Sequence, residues 1–120
     1  MKTIILIFLI MVNINEQPRK VLLFHNAAGE QRWKSQLKEL DAVQDGLRER
    51  DIEVESIAFS SQNAEKWEKW QVNSSEAFTF ILIGRDGGEK LRSGELVKKD
   101  KLFGLIDAMP MRMREMNEKK

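Results

Sequence analysis

His25 is the only histidine in this 120-residue chain and the first candidate for acid–base chemistry. It follows the apolar run Val21–Phe24 and precedes polar Asn26, as a residue at the end of a strand would. Its imidazole could act as a general base, oriented by Glu30 and with Asn26 or Arg32 as the electrophilic partner. The alternative is a partly buried histidine that closes a strand. Because acid–base sites usually need two convergent polar groups, we favour this structural interpretation.

Thiol and metal chemistry find little support in the composition. The chain has no cysteine, so it forms no disulfide, no thiolate nucleophile and no thiolate metal site. A single histidine without cysteine argues against a transition-metal site, because such sites usually draw on several imidazoles or thiolates. The carboxylates of Asp41, Asp45, Glu49 and Asp51 are spread along a predicted helix and its end rather than gathered around a cation. We predict no metal and no cofactor.

The charge balance limits the kinds of partner. Twenty lysines and arginines oppose nineteen acidic residues, which leaves a net charge of +1 and no field that would recruit nucleic acid or an anionic membrane. The hydrophobic fraction of 42% and charged fraction of 32% are those of an ordinary globular protein. At this length we expect a single domain.

The N-terminus carries a possible targeting segment. Lys2 precedes the uninterrupted apolar run Ile4–Val12, which has the length of a signal-peptide core and is shorter than the ~20 residues of a membrane-spanning helix. We predict that residues 1–17 are a signal peptide and that residues 18–120 form a secreted or periplasmic domain. An uncleaved membrane anchor and a buried first strand are the alternatives, since no small-residue cleavage pattern is present.

The remaining chain alternates between strand and helix patterns. Apolar residues recur at helical steps across residues 30–50: Trp33, Leu37, Leu40, Val43 or Gln44, and Leu47. The predicted elements are a strand at Val21–Phe24, that helix, a strand at Ile52–Phe59, a short helix at Ala64–Gln71, a strand at Phe78–Ile83, an edge strand at Glu89–Arg92, and a helix at Leu96–Met109 that Pro110 ends. Asp86-Gly87 predicts a two-residue hairpin turn between the last two strands.

Two segments near the end of the chain carry a family resemblance. Phe78-Thr-Phe-Ile-Leu-Ile-Gly-Arg-Asp-Gly-Gly-Glu-Lys-Leu-Arg92 and Lys101-Leu-Phe-Gly-Leu-Ile-Asp-Ala-Met-Pro-Met-Arg112 resemble the end of the P-DUDES domain. This thioredoxin-like family has no assigned function, and its members are secreted or periplasmic bacterial proteins and parts of vertebrate extracellular proteins. The resemblance implies an α/β, three-layer, thioredoxin-like sandwich with a mixed sheet of about four strands and a C-terminal β-hairpin and helix.

The resemblance also shows where redox chemistry would lie. Thioredoxin-like enzymes place two cysteines at the start of the first long helix, which corresponds here to Gly29, Glu30, Gln31 and Arg32. A proline expected before the central strand would fall near Ala77. No nucleophile stands at the first position and no proline at the second, so we predict a vacated redox site.

Basic residues around the hairpin form a further candidate site. Arg85, Lys90 and Arg92 flank the turn, and Arg112 follows the last helix, which packs near that sheet edge in a thioredoxin-like topology. A multiply charged anion, such as a sulfated glycan or a phosphate ester, is the ligand that this site would bind. The alternative is that Arg92 and Arg112 form surface pairs with Asp86, Asp107 or Glu115, which contribute little stability.

Three tryptophans and one asparagine complete the candidates. Trp33, Trp67 and Trp70 could stack a sugar or a base, but their helical spacing favours packing in the core or at its rim. Asn73-Ser74-Ser75 fits the acceptor pattern for N-glycosylation. Taken together, the sequence predicts a non-catalytic thioredoxin-like module that binds a protein or a small anion. The alternative is a non-redox enzyme with His25 as its base.

Overall fold

Residues 17–118 are described by the computed structural model. In chain order the elements are β1 (Arg19–His25), a turn of 3-10 helix (Ala27–Gly29), α1 (Glu30–Asp41), α2 (Gln44–Glu49), β2 (Ile52–Ala58), α3 (Ala64–Lys69), β3 (Phe78–Ile83), β4 (Glu89–Ser93), α4 (Lys99–Asp107) and α5 (Pro110–Glu118). The predicted apolar run Ile4–Val12 lies outside these residues. Within them, no helix is both long enough and apolar enough to cross a membrane.

The four strands form one mixed sheet in the order β2-β1-β3-β4. β1 runs parallel to β2, with Arg19 beside Ile52 and His25 beside Ala58. β3 runs antiparallel to both β1 and β4. The sheet therefore has an Arg19 end, where β1 begins, and a His25 end, where β1 finishes. This is the predicted α/β mixed sheet of four strands.

Helices pack on both faces of the sheet and give two separate cores. Because side chains alternate along a strand, β1 and β3 supply apolar residues to each face. The first core lies under α1, α2 and α4 and contains Val21, Leu23, Leu40, Leu47, Ile52, Phe78, Phe80, Leu82, Val97, Leu102 and Ile106. The second core lies under α3 and contains Leu22, Phe24, Ile57, Trp67, Val72, Ile81 and Ile83. All six residues of β3 are buried, as a central strand requires.

The long helix predicted for residues 30–50 is two helices. Val43, with φ −129° and ψ 39°, leaves the helical conformation between α1 and α2. Its side chain still packs against the first core. The two helices therefore pack on the same core although the chain leaves the helical conformation between them.

The end of the chain also differs from the prediction. The helix predicted at Leu96–Met109 spans Lys99–Asp107, so it ends before Pro110, and Pro110 is the first residue of α5. Proline is favoured at that position because its missing N–H would have no helical partner there. One side of α5 packs onto the domain, and Arg112 is buried.

The β3–β4 turn is one residue longer than predicted. Gly84 and Gly88 pair through a 2.9 Å hydrogen bond from N to O, so Arg85, Asp86 and Gly87 form a three-residue loop. Gly87 has φ +82°, the left-handed conformation that glycine adopts without steric cost. The sequence signal for a turn at Asp86-Gly87 is thus confirmed, while its length was wrong.

Candidate functional site

The ends of β1 and β2 and the start of α1 surround a small cleft at the His25 end of the sheet. Its volume is about 200 Å³. We call it the His25 cleft; its walls are His25, Asn26, Ala27, Glu30, Trp33, Ala58 and Phe59. Three of these side chains are aromatic rings and one is a carboxylate.

Trp33 lies flat against His25. The two ring centroids are 4.1 Å apart and the rings are only 9° from parallel. The indole Nε1 donates a 2.8 Å hydrogen bond to Ser56 Oγ, which fixes the ring from the β2 side. His25 is 9% exposed, and burial lowers the pKa of its imidazole, although the charge of Glu30 acts in the opposite direction. The neutral imidazole is therefore favoured.

Asn26 and Arg32, the residues proposed to assist His25, form hydrogen bonds with backbone groups instead. The side-chain amide of Asn26 donates to the carbonyls of Ser74 and Glu76, and its oxygen accepts from Gly29 N. Arg32 donates to the Gly94 carbonyl at 3.0 Å and lines a different cavity. Neither residue converges on the imidazole with a free polar group, so the arrangement offers no electrophilic partner for acid–base chemistry at His25.

The vacated redox position forms the start of α1. Gly29 precedes the helix, and Glu30, Gln31 and Arg32 form its first turn. A Cβ atom on Gly29 would lie 1.8 Å from the carbonyl oxygen of Ala77, so a side chain at this position requires the two segments to separate. The same carbonyl accepts a hydrogen bond from Asn26 N. The two positions that the resemblance singled out are thus in direct contact.

Arg85 and Arg112, two of the predicted anion-binding residues, belong to a cluster of ion pairs at the Arg19 end. Arg85 donates to Glu115 Oε2 at 2.9 Å and to Asp51 Oδ2 at 3.0 Å. Arg112 is 1% exposed and donates to Asp107 Oδ1 at 3.1 Å. Because Arg112 is buried and paired, it does not present its charge to a ligand in solution.

Two more arginines complete this cluster. Arg19, also 1% exposed, contacts Glu115 at 3.1 Å and donates to the carbonyl of Arg50. Arg50 binds both carboxylate oxygens of Asp107, at 3.0 and 2.9 Å, and its guanidinium lies 4.0 Å from the centroid of the Phe103 ring. We call Arg19, Arg50, Arg85, Arg112, Asp51, Asp107 and Glu115 the arginine cluster. It ties α4 and α5 to the start of β1.

Lys90 and Arg92 are paired separately. Lys90 contacts Asp86 at 2.9 Å, and Arg92 contacts Glu89 at 2.8 Å while also donating to the carbonyls of Trp70 and Gln71. The four predicted cations therefore do not form one site. Arg85 and Arg112 pair within a partly buried cluster, whereas Lys90 and Arg92 pair with the carboxylates of the hairpin itself.

The remaining candidates lie where packing would place them. Trp67 is 2% exposed in the second core, whereas Trp33 and Trp70 are partly buried at the core rims. Asn73 is exposed in the loop before β3, and its side-chain oxygen accepts hydrogen bonds from Ser75. Among residues 17–118, no group of three or more histidine, aspartate or glutamate side chains is placed to hold a metal ion.

The sequence did not predict Phe59 as part of a site. Its ring is 48% exposed at the mouth of the His25 cleft and packs edge-on against Trp67, with the centroids 5.1 Å apart. The predicted strand Ile52–Phe59 included Phe59 as its last residue, whereas β2 ends at Ala58. An aromatic residue at the end of a strand was the available signal for this position.

Several solved structures share this fold. A malarial protein is 24% identical and covers 76% of this chain and 96% of its own length, with a TM-score of 0.59. Thioredoxin-2, a component of the malaria parasite protein secretion machinery, is 22% identical, with coverages of 77% and 84% and a TM-score of 0.60. Reduced Plasmodium vivax 2-Cys peroxiredoxin is 15% identical, with coverages of 86% and 80% and a TM-score of 0.60. These similarities show a thioredoxin-like fold.

Sequence comparison identifies the family. No curated protein matches the chain. The family described as "Domain of unknown function (DUF4174)" matches residues 10–115, which is most of the chain and includes β1, β3, β4 and the residues of the His25 cleft. Because this match covers most of the chain, the chain belongs to the DUF4174 family.

Proposed function

We propose that this protein is a secreted or periplasmic, non-catalytic, thioredoxin-like module that binds a protein partner at the His25 cleft. The observation that carries the proposal is the stack of Trp33 on His25. The cleft lies beside the start of α1, where thioredoxin-like enzymes place a nucleophile, and three aromatic rings line it. Such a surface suits recognition, because rigid aromatic side chains next to a concave cleft supply much of the binding energy in protein interfaces.

Phe59 supports this assignment from the other side of the cleft. About half of its ring is exposed, while the contact with Trp67 holds the ring in place. The outer edge of β2 pairs with no other described strand and leads directly to Phe59. An extended partner segment could hydrogen-bond along this edge and insert an apolar side chain beside Phe59 and Trp33.

Export from the cytoplasm is the second part of the proposal. It rests on Lys2 and the apolar run Ile4–Val12, which have the charge and length of a secretory signal. The match to the family begins at residue 10, so it overlaps the last part of the proposed signal segment, residues 10–17.

Selection of peptides on the full-length protein tests the binding surface. Peptides from a random displayed library should bind the parent, and the substitutions Phe59→Glu and Ala27→Glu should each weaken them about tenfold or more, because each places a charge in the cleft. Met113→Glu is the matched control, since Met113 is 50% exposed on α5. Ala27→Glu removes no core contact, so it separates loss of binding from loss of folding. Equal affinity for all four proteins would refute the assignment.

A further inference from the structure

A second cleft lies on the opposite part of the molecule, on the sheet face that α3 covers. Its volume is about 390 Å³, within the range of small-molecule sites. Leu22, Ile57 and Ile83 of the second core lie at its floor, where each is no more than 5% exposed, and the partly buried Trp70 forms one wall. We call it the lysine cleft. It shares no lining residue with the His25 cleft.

The cleft exists because the two faces of the sheet are unequally covered. α1, α2 and α4 pack on the first core, whereas α3, with six residues, is the one described helix on the second. α3 ends at Lys69, and Trp70 follows at its C-terminal end. The sheet surface between Trp70 and the start of β1, where Lys20 pairs with Ile83, is therefore left without a helix above it.

Positive charge surrounds this apolar floor. Lys20, Lys66 and Lys69 line the cleft together with a single carboxylate, that of Glu55. Lys66 neutralises Glu55 through a 3.0 Å ion pair. Lys20 and Lys69 form no ion pair with any described residue, and the Lys69 ammonium lies 5.6 Å from the centroid of the Trp70 ring. Three lysines against one glutamate leave an excess of two positive charges beside an apolar surface.

We propose that the lysine cleft binds an amphipathic organic anion. The apolar body of the ligand lies against the partly buried Trp70 ring, above the nearly buried floor, and its anionic group faces Lys20 and Lys69. The charge of the rim selects an anion over a cation or a neutral molecule, and the apolar floor selects a ligand with a hydrocarbon or aromatic body over a bare inorganic anion. This proposal is independent of partner binding at the His25 cleft.

Two fluorescent probes with the same rings test the proposal. The full-length protein is titrated at low salt with 1-anilinonaphthalene-8-sulfonate and with N-phenyl-1-naphthylamine, which lacks the sulfonate. The double variant Lys20→Gln, Lys69→Gln should bind the sulfonate about fivefold more weakly, because two exposed charges each contribute modestly, and should bind the neutral probe as the parent does. Decanoate should displace the sulfonate probe, whereas decyltrimethylammonium should not.

Two further variants locate the site. Lys34→Gln, Lys38→Gln removes the same charge from α1, on the other face of the sheet, and should leave both affinities unchanged. Trp70→Ala should weaken both probes, because it removes a wall of the cleft. Equal weakening by the two lysine double variants would indicate a long-range charge effect and overturn the proposal. Failure of the parent to bind the sulfonate would also overturn it, whether the cleft is closed by residues 1–16 or by a second copy of the chain.

Discussion

Arg112 on α5 and Asp107 at the end of α4 form a partly buried ion pair, with 3.1 Å between Nε and Oδ1. Asp107 also accepts two hydrogen bonds from Arg50 at the end of α2. One carboxylate therefore joins three helices. The segment that carries part of the family resemblance, Asp107-Ala-Met-Pro-Met-Arg112, contains both members of this pair. Its two charged residues therefore contact each other between the helices.

Asp107→Asn should destabilise the protein by about 1–2 kcal/mol, because Arg50 loses its bidentate carboxylate and Arg112 keeps only Glu49 and Glu115 as charge partners. The measurement is the free energy of unfolding in urea at neutral pH. Asp45→Asn is the control, since the Asp45–Arg48 pair is exposed and should change stability by less than about 0.5 kcal/mol. Similar losses from both substitutions would mean that the arginine cluster does not stabilise α5.

The arginine cluster should make the protein sensitive to acid. Hydrogen bonds from Arg50 and Arg112 lower the pKa of Asp107 from 3.8, against the effect of burial. Burial raises the pKa of Glu115, but its bonds to Arg19 and Arg85 outweigh this and leave it below 4.5. As the pH falls, the unfolded chain binds these protons first, so stability present above the unfolded pKa values is lost as the pH falls through the folded values. Urea midpoints measured from pH 7 to pH 3 should fall less steeply for Asp107→Asn, Glu115→Gln than for the parent; parallel curves would contradict this.

His25 should titrate below its ordinary pKa of 6.5, because burial under Trp33 disfavours the imidazolium. Below about pH 6.5 the unfolded state binds a proton at His25 more readily than the folded state does. The free energy of unfolding should therefore decrease as the pH falls below this value. The Hε1 resonance of this single histidine reports the pKa by NMR. Glu30→Gln should lower the pKa further, whereas Glu53→Gln, five residues along β2 from Ala58, should not. A pKa at or above 6.5 would show that the stack is open in solution.

Gln71→Gly should stabilise the protein by about 0.5–1 kcal/mol, because a side chain in the left-handed conformation is strained. Gln71 has φ +55° and follows Trp70, the residue after the end of α3, and Val72 N donates to Trp67 O at 2.8 Å across this turn. Gln62→Gly, at an exposed residue without positive φ, is the control and should give no gain. Thermal unfolding followed by circular dichroism measures both. A loss of stability in Gln71→Gly would indicate that the side chain makes a contact in solution that outweighs the strain.

Residues 1–17 should direct a fused reporter out of a bacterial cytoplasm. Ile7→Arg, which interrupts the apolar run, should keep the reporter inside. A chain beginning at Glu16 should stay in the cytoplasm and retain the circular dichroism spectrum of the folded domain. If that shorter chain is unfolded, the run is part of the core and the predicted signal peptide is wrong.

Most of the fold could be predicted because it depends on local patterns. The strand at Phe78–Ile83 was predicted with its observed bounds, since six consecutive strand-forming residues follow a polar loop. The break between α1 and α2 was not predicted. The pattern allowed either Val43 or Gln44 on the apolar face, and the chain leaves the helical conformation at Val43. Pro110 was interpreted only as a stop, because its second role, as the first residue of α5, depends on the residues that pack beyond it.

The candidate sites were harder to predict because they depend on residues far apart in the chain. The burial of Arg112 requires Asp107, Glu49 and Glu115 to meet, and helical spacing links only one of these partners to it. The lysine cleft combines Lys20 of β1 with Lys69 of α3 and requires knowledge of which face α3 covers. His25 and Trp33 were each recognised, but their stacking became evident only from the position of α1 against β1.

The contact between Gly29 and the Ala77 carbonyl bears on the ancestry of this fold. A single nucleotide change can convert a glycine codon into a cysteine codon, yet a sulfur at Gly29 would begin with a Cβ only 1.8 Å from a backbone oxygen. Restoring a dithiol here would therefore require a coordinated shift of the loop before β3, and the first mutation alone would reduce stability. Descendants of such a sequence would therefore tend to remain without a thiol at this position.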